Sequence, residues 1–289
     1  MVRIVTRIAV LLWCAAAAQA VAASHTAVRV ATLCPLVTDA LATAGEQAEI
    51  VASVRRSPTT PVSGGIADLG TPHTPNLEVL VASGARLVVA DRSMHAPLVP
   101  RLESQGLEVV LVDTSSVDGT FASLLALGER VGAGADYAKS VAGARESLDA
   151  VKPRRPERVL ALLGMPTSFF VMTSRSWQGD LLARIGFENV AGSVVGEERI
   201  PGFVPLSDEI LAGLAPERVL LVAHGDPEAV RTAFERRLQD RGLLRATSGG
   251  VPPRIEILSP DRFLSNPGIA LPELARDIVA GPSAPASAQ

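Results

Sequence analysis

Short apolar, β-branched runs bounded by polar or glycine residues recur along this chain and alternate with segments of helical period. "VRVATL" (28–33), "EIVASV" (49–54), "RLVVAD" (86–91) and "LEVVLVD" (107–113) lack the polar alternation of a sheet with one wet face. They suit parallel strands covered on both sides. Parallel strands need crossovers, and "PLVTDALATAG" supplies one, with Leu36, Val37, Ala40, Leu41 and Ala44 at helical spacing and a stop at Gly45. "APLVPRLESQG" supplies a short one between the last two strands. The N-terminal part therefore reads as an α/β unit.

From Gly119 the pattern changes. "GTFASLLALGERVG" and "ADYAKSVAGARESLDAVKP" read as helices broken at "GAG" (132–134), the second ending before Pro153. A second α/β set follows: "RVLALLG" (158–164), "FFVMTS" (169–174), a helix at "WQGDLLARIG", "RVLLVAH" (218–224), a helix at "PEAVRTAFERRLQ", "RIEILS" (254–259) and a helix at "LPELARDIVA". The expected fold class is α/β, two Rossmann-like lobes joined by one long backbone helix, with a ligand in the interlobe cleft. The lobes are expected over 24–118 and 154–280, the linker-helix region over 119–153, and a tail of disordered composition over 281–289.

Residues 1–23 have the build of a secretory signal. Arg3 and Arg7 precede the apolar "IAVLLWCAAAA", and Ala18-Gln19-Ala20 or Val21-Ala22-Ala23 offers small-residue cleavage. A periplasmic location follows as the expectation. Lipid attachment at Cys14 is the weaker alternative, because Trp13 stands where a small residue precedes a lipidated cysteine. Cleavage leaves Cys34 as the lone cysteine, so no intramolecular disulfide is available. It also leaves 25 basic against 30 acidic residues, a net −5. With no Lys/Arg cluster interleaved with aromatics, nucleic acid drops out as a partner.

Enzyme signatures are missing. "GAGAD" (132–136) follows a helix rather than a strand, so it lacks the context that cradles a pyrophosphate. There is no G-x-x-x-x-G-K-[ST], no G-x-S-x-G, and no C-x-x-C-H for covalent haem. Two of the four histidines instead share a setting. In "GTPHTPNLEVL", Thr74 is the expected N-cap and Pro75 the first helical residue, with Leu77, Leu80 and Val81 as the buried stripe and His73 as the last loop residue. In "LLVAHGDPEAVRTAF", a strand ends at Ala223, Asp226 caps a helix opening at Pro227, and His224 occupies the turn.

Ligands of open α/β sheets bind at the carboxyl ends of strands, where such turns lie. Opposed imidazoles from two lobes match the needs of a haem iron, which takes two axial ligands because the porphyrin supplies four. A closed zinc or manganese site needs three or four, and would have to recruit Cys34, Asp91 or Asp261. Apolar lining is expected from Leu33, Pro35, Met94, Met165, Phe169, Phe170 and Phe203, and propionate partners from Arg175, Arg199 and Arg262. Cys34 and His95 complete the candidate cleft contacts.

Three segments in this order resemble the periplasmic binding proteins of ABC importers for haem, ferric siderophores and cobalamin: "RVATLCPLVTDALATAG", "PNLEVLVASGARLVVAD" and "SRSWQGDLLARIGFENVA". The likeness is nearest to Gram-positive haem-receptor lipoproteins, which grip iron between a methionine of the first lobe and a histidine of the second. It implies His224 as the second-lobe axial ligand and His73 in place of the methionine, with Met94 and His95 in reserve. It further implies a non-covalent haem cargo, a monomer, and a permease dimer that docks on Glu78 and Glu209. The alternatives are the same fold with a ferric siderophore or corrinoid, and a metal-dependent enzyme on an α/β fold. A tyrosinate-ligated haem has only Tyr137 to draw on, and that residue falls on the linker helix.

Overall fold

A computed structural model describes residues 27–42, 47–55, 62, 64–198, 200–240 and 252–281. The expected signal segment and nearly all of the tail lie outside these, as does Arg199. The first sheet holds β1 (Val28–Thr32), β2 (Ala48–Ser53), β3 (Ala67–Asp68), β6 (Leu87–Asp91) and β7 (Glu108–Val112) in the order β3-β2-β1-β6-β7, with every pair parallel. The apolar runs predict this, because β6 is buried along its whole length. Helix α1 (Pro35–Ala42) crosses from β1 to β2 and buries Leu36, Val37, Ala40 and Leu41.

Between β3 and β6 lie a small hairpin, β4 (Gly70–Thr71) with β5 (Thr74–Pro75), and then α2 (Leu77–Ala82). The β6–β7 crossover is broken into α3 (Arg92–His95), a 3₁₀ turn (Ala96–Leu98) and α4 (Val99–Glu103). Pro97 and Pro100 explain the interruptions, since each removes a backbone donor.

Helix α5 (Val117–Arg130) packs on β7 and on α6 (Gly134–Asp149), and Gly132, at φ +78°, makes the break between them. Helix α6 runs from the first half to the second: its 16 residues span about 24 Å. The second sheet runs β11 (Phe203–Pro205), β9 (Ser168–Met172), β8 (Arg158–Met165), β12 (Arg218–Ala223), β13 (Arg254–Leu258), with β10 (Glu188–Asn189) on the lower part of β8. Strand β9 is antiparallel to β8, because Pro166 and Thr167 alone separate them and no crossover fits so short a link. Helices α7 (Trp177–Arg184), α8 (Asp208–Gly213), α9 (Pro227–Asp240), α10 (Pro260–Phe263) and α11 (Leu271–Ala280) complete the second half.

One apolar core runs through both halves. It joins Val30, Leu36 and Val89 of the first sheet region to Val159, Ala161 and Val222 of the second, through Phe121, Tyr137, Val141, Leu271 and Leu274. Separate clusters cover the far faces of the two sheets. A second crossing closes the structure: beyond the carboxyl end of β13, Asn266 donates from Nδ2 to the Thr114 carbonyl, just past the end of β7, at 3.1 Å and to Thr120 Oγ1, in α5, at 2.8 Å. Its Oδ1 accepts from Gly268 N at 2.9 Å, so this buried amide is fully used. The carboxyl ends of the two sheets are thus tied to each other.

Gly268 has φ +61°, and a Cβ there would come within 2.3 Å of Leu36 Cδ1, itself held in the core. Gly268→Ala is expected to lose about 1–3 kcal/mol through strain and overpacking. Gly143, exposed inside α6 with open space around it, is the control, and Gly143→Ala is expected to gain up to about 1 kcal/mol. Urea unfolding of the two variants checks both signs.

Candidate functional site

Strand β12 ends at Ala223, yet the next residue remains on the ladder: His224 N donates to the Gly164 carbonyl at 2.8 Å. Gly225 then turns the chain at φ +113°, a conformation open to glycine alone. Asp226 Oδ1 accepts from Glu228 N and Ala229 N at 2.9 Å each and starts α9, as the sequence predicts. The His224 backbone is fixed from both sides and its side chain is exposed.

The His73 segment differs from expectation. Thr74 and Pro75 pair with Thr71 and Gly70, the Thr71 and Thr74 hydroxyls lie 3.0 Å apart, and His73 shares the two-residue tip with Pro72. The helix opens later, at Leu77, because Asn76 Oδ1 accepts from Glu78 N and Val79 N at 3.1 Å and is the true N-cap. Of the expected stripe, Leu80 is buried, while Val81 is 41% exposed. The hairpin is rooted in the first sheet: Leu69 N donates to Ser53 O, Arg55 N to Gly70 O, and Asn76 N to Leu69 O. The His73 side chain is exposed, and neither it nor His224 has a side-chain hydrogen bond among the described residues.

His95 is no reserve ligand. It is 1% exposed, its Nδ1 accepts from Asp91 N at 3.0 Å, and its Nε2 donates to the Pro72 carbonyl at 2.8 Å. Both ring nitrogens are committed. Because a backbone N–H can only donate and a carbonyl only accept, the ring is the neutral tautomer protonated on Nε2. Asp91, which caps α3 through Met94 N, also accepts from Ser93 Oγ and Thr114 Oγ1. Met94 is 40% exposed and stays open as a contact.

The remaining candidates divide by burial. Cys34 is buried at the head of α1, and desolvation, helped by the nearby Asp91 charge, pushes its thiol up to about 12; it is a core residue and not a cleft contact. Pro35 and Leu33 are buried, Phe169 packs on Phe234 in the second sheet's outer cluster, and Met165, Phe170 and Phe203 are half-buried. Arg175 pairs with Glu198, whose carboxyl is held below the usual range by that bond and by Gly202 N. Arg262 pairs with Asp277. Neither arginine is a free cation. Glu78 and Glu209 both lie exposed in the first turn of a short capped helix, behind Asn76 and Ser207. Tyr137 is buried on α6, and burial raises its hydroxyl to about 12. Among the described residues no three His, Cys, Asp or Glu side chains converge on a metal-sized site.

Residues 30–248 match the family described as periplasmic binding protein. The chain is 26% identical over 184 residues to the high-affinity heme uptake system protein IsdE of Staphylococcus aureus, a match covering 62% of this chain and 61% of that protein. The S. aureus IsdE structure complexed with heme superposes with TM-score 0.69 at 20% identity, covering 87% of this chain and 97% of the other. The periplasmic heme-binding protein HutB of Vibrio cholerae superposes with TM-score 0.70 at 20% identity, covering 89% and 98%. The structural likenesses establish the two-lobe fold.

Thiolates, not thiols, attack disulfide reagents. Cys34 is therefore expected to be inert to an aromatic disulfide at pH 8 in the folded protein and to react fully in guanidinium, as absorbance of the released thiolate will report.

Proposed function

The chain belongs to the periplasmic binding protein family, a family of binding proteins rather than enzymes, and from that premise we propose that it is an exported receptor for ferric haem. Haem is held between the lobes by His73 and His224, without a covalent link, and passed to the permease of an ABC importer. The observation that carries this reading is the pair of turns: one in each half, each with a backbone fixed by main-chain hydrogen bonds and each presenting an exposed imidazole that is unpaired among the described residues. The likeness to a haem uptake protein supports the choice of cargo.

A neutral imidazole donates one ring nitrogen to iron, and two of them complete the octahedron that the porphyrin leaves open. No bond of the cargo is made or broken. Arg175 and Arg262 reach propionates only by exchanging Glu198 and Asp277 as partners. Glu78 and Glu209, each at the start of a capped helix, one in each half, offer a pair of acids to a two-fold permease. A ferric siderophore or corrinoid in the same place would make polar contacts with the histidines and lean on aromatics, of which the chain has 3%, its one tyrosine being buried.

Titration of the purified protein with haemin, followed at the Soret band, tests the assignment. Wild type is expected to saturate at one haem with a low-spin spectrum. His73→Ala and His224→Ala should each bind at least about tenfold more weakly, a loss of ~1.4 kcal/mol, and shift toward high spin. Unchanged spectra and affinities in both variants would remove the axial assignment, and a wild type that ignores haemin would remove the cargo. Met94→Ala, run alongside, is expected to leave the spectrum alone.

A further inference from the structure

We infer that His95 is a positioning residue for His73: it clamps the tip of the ligand-bearing hairpin to the carboxyl end of β6. This rests on the reading of His73 as an iron ligand. Hairpin β4–β5 is only two residues a side, and two-stranded ribbons of that size do not hold a shape alone. Its base is tied to β2 and β3 by main-chain bonds, but Pro72, at the tip, has no N–H to give. What fixes the tip is its carbonyl. Pro72 O accepts from His95 Nε2 at 2.8 Å, across 23 residues of sequence, and it is the peptide that joins Pro72 to His73.

The clamp is itself rigid. The His95 ring is buried, and its second nitrogen is held by Asp91 N, the last residue of β6, a strand buried on both faces. The Asp91 side chain reaches on to Thr114, whose carbonyl accepts from Asn266. The orientation of the His73 peptide is thereby referred to the sheet and to the crossing segment, and not to the hairpin's own two rungs. Second-layer groups of this kind typically govern metal affinity by orienting the ligand.

Two substitutions separate the two bonds of the ring. His95→Gln carries an amide N–H₂ to roughly the place of Nε2 and keeps the donor to Pro72; His95→Asn keeps an acceptor for Asp91 N and loses that donor. Hydrogen–deuterium exchange of residues 70–76 in the haem-free protein, haemin titration and thermal unfolding are read on both. The expected result is faster exchange at the hairpin, haemin affinity lower by about tenfold and a high-spin shift for His95→Asn, with His95→Gln near wild type in all three. Hairpin exchange and haemin affinity equal to wild type in both variants would overturn the proposal. So would equal loss in both that tracks the unfolding temperature, the signature of a merely structural histidine. Faster hairpin exchange in His95→Asn, in a protein whose wild type ignores haemin, would uphold the clamp and remove the haem reading instead.

Discussion

The buried amide of Asn266 fixes the relation on which the rest of the structure depends. Two sheets, one parallel and one mixed, each sandwiched by its own helices, have no reason of their own to face each other. Helix α6 joins them, and a single helix leaves a swivel at each end. Asn266 opposes that swivel, because its three hydrogen bonds tie the segment after β13 to the segment after β7 and to its own turn, and Val117 N adds a bond to Asp180 Oδ2 of α7 at 2.8 Å. The turns at the carboxyl ends of both sheets are brought under one constraint. A buried amide that lost these partners would carry the full cost of desolvation, so the joint is held by penalty as much as by attraction.

The apolar core agrees with that joint. Phe121, Tyr137, Val141 and Leu271 fill the space between the halves, and they belong to the same cluster as residues of both sheets. Any movement of one half against the other is therefore limited to what this shared packing tolerates. The two proposed ligands are placed differently: the side chains of His73 and His224 are exposed, while their backbones are pinned to the packed body. Fixed backbone and free ring is the arrangement that lets a ligand be gripped with little ordering of the protein.

How much of this was written in the sequence varies with the length scale of the cause. The longer strands of both sheets are legible, though not the two- and three-residue β3, β10 and β11, because parallel strands buried on two faces must be apolar throughout, and β6 and β12 are just that. The Asp226 cap is legible because a short carboxylate before a proline and a helical stripe has one job. The hairpin at Gly70–Pro75 is not: four paired residues have no period, and Thr-Pro before a helix suggests capping unless the competing Asn76 is weighed. Nor does the sequence tell His73 from His95. One is exposed and the other engulfed because Asp91 folds α3 back over its own strand end, a matter of tertiary contact. A cap at Asp91 with a histidine four residues on was the only local signal that His95 turns inward. Arg175 and Arg262 look like free cations until the chain is folded, since their acidic partners lie 23 and 15 residues away.

The last described elements have a place out of order with their number. The turn at Gly268–Ala270 packs on α1 and α5, and α11 packs on α6, so residues 268–280 complete the core that β1 and α1 begin. In a chain made from its amino terminus onward, the faces of α1 and α5 that this turn covers stay open until residues 268–280 have been added.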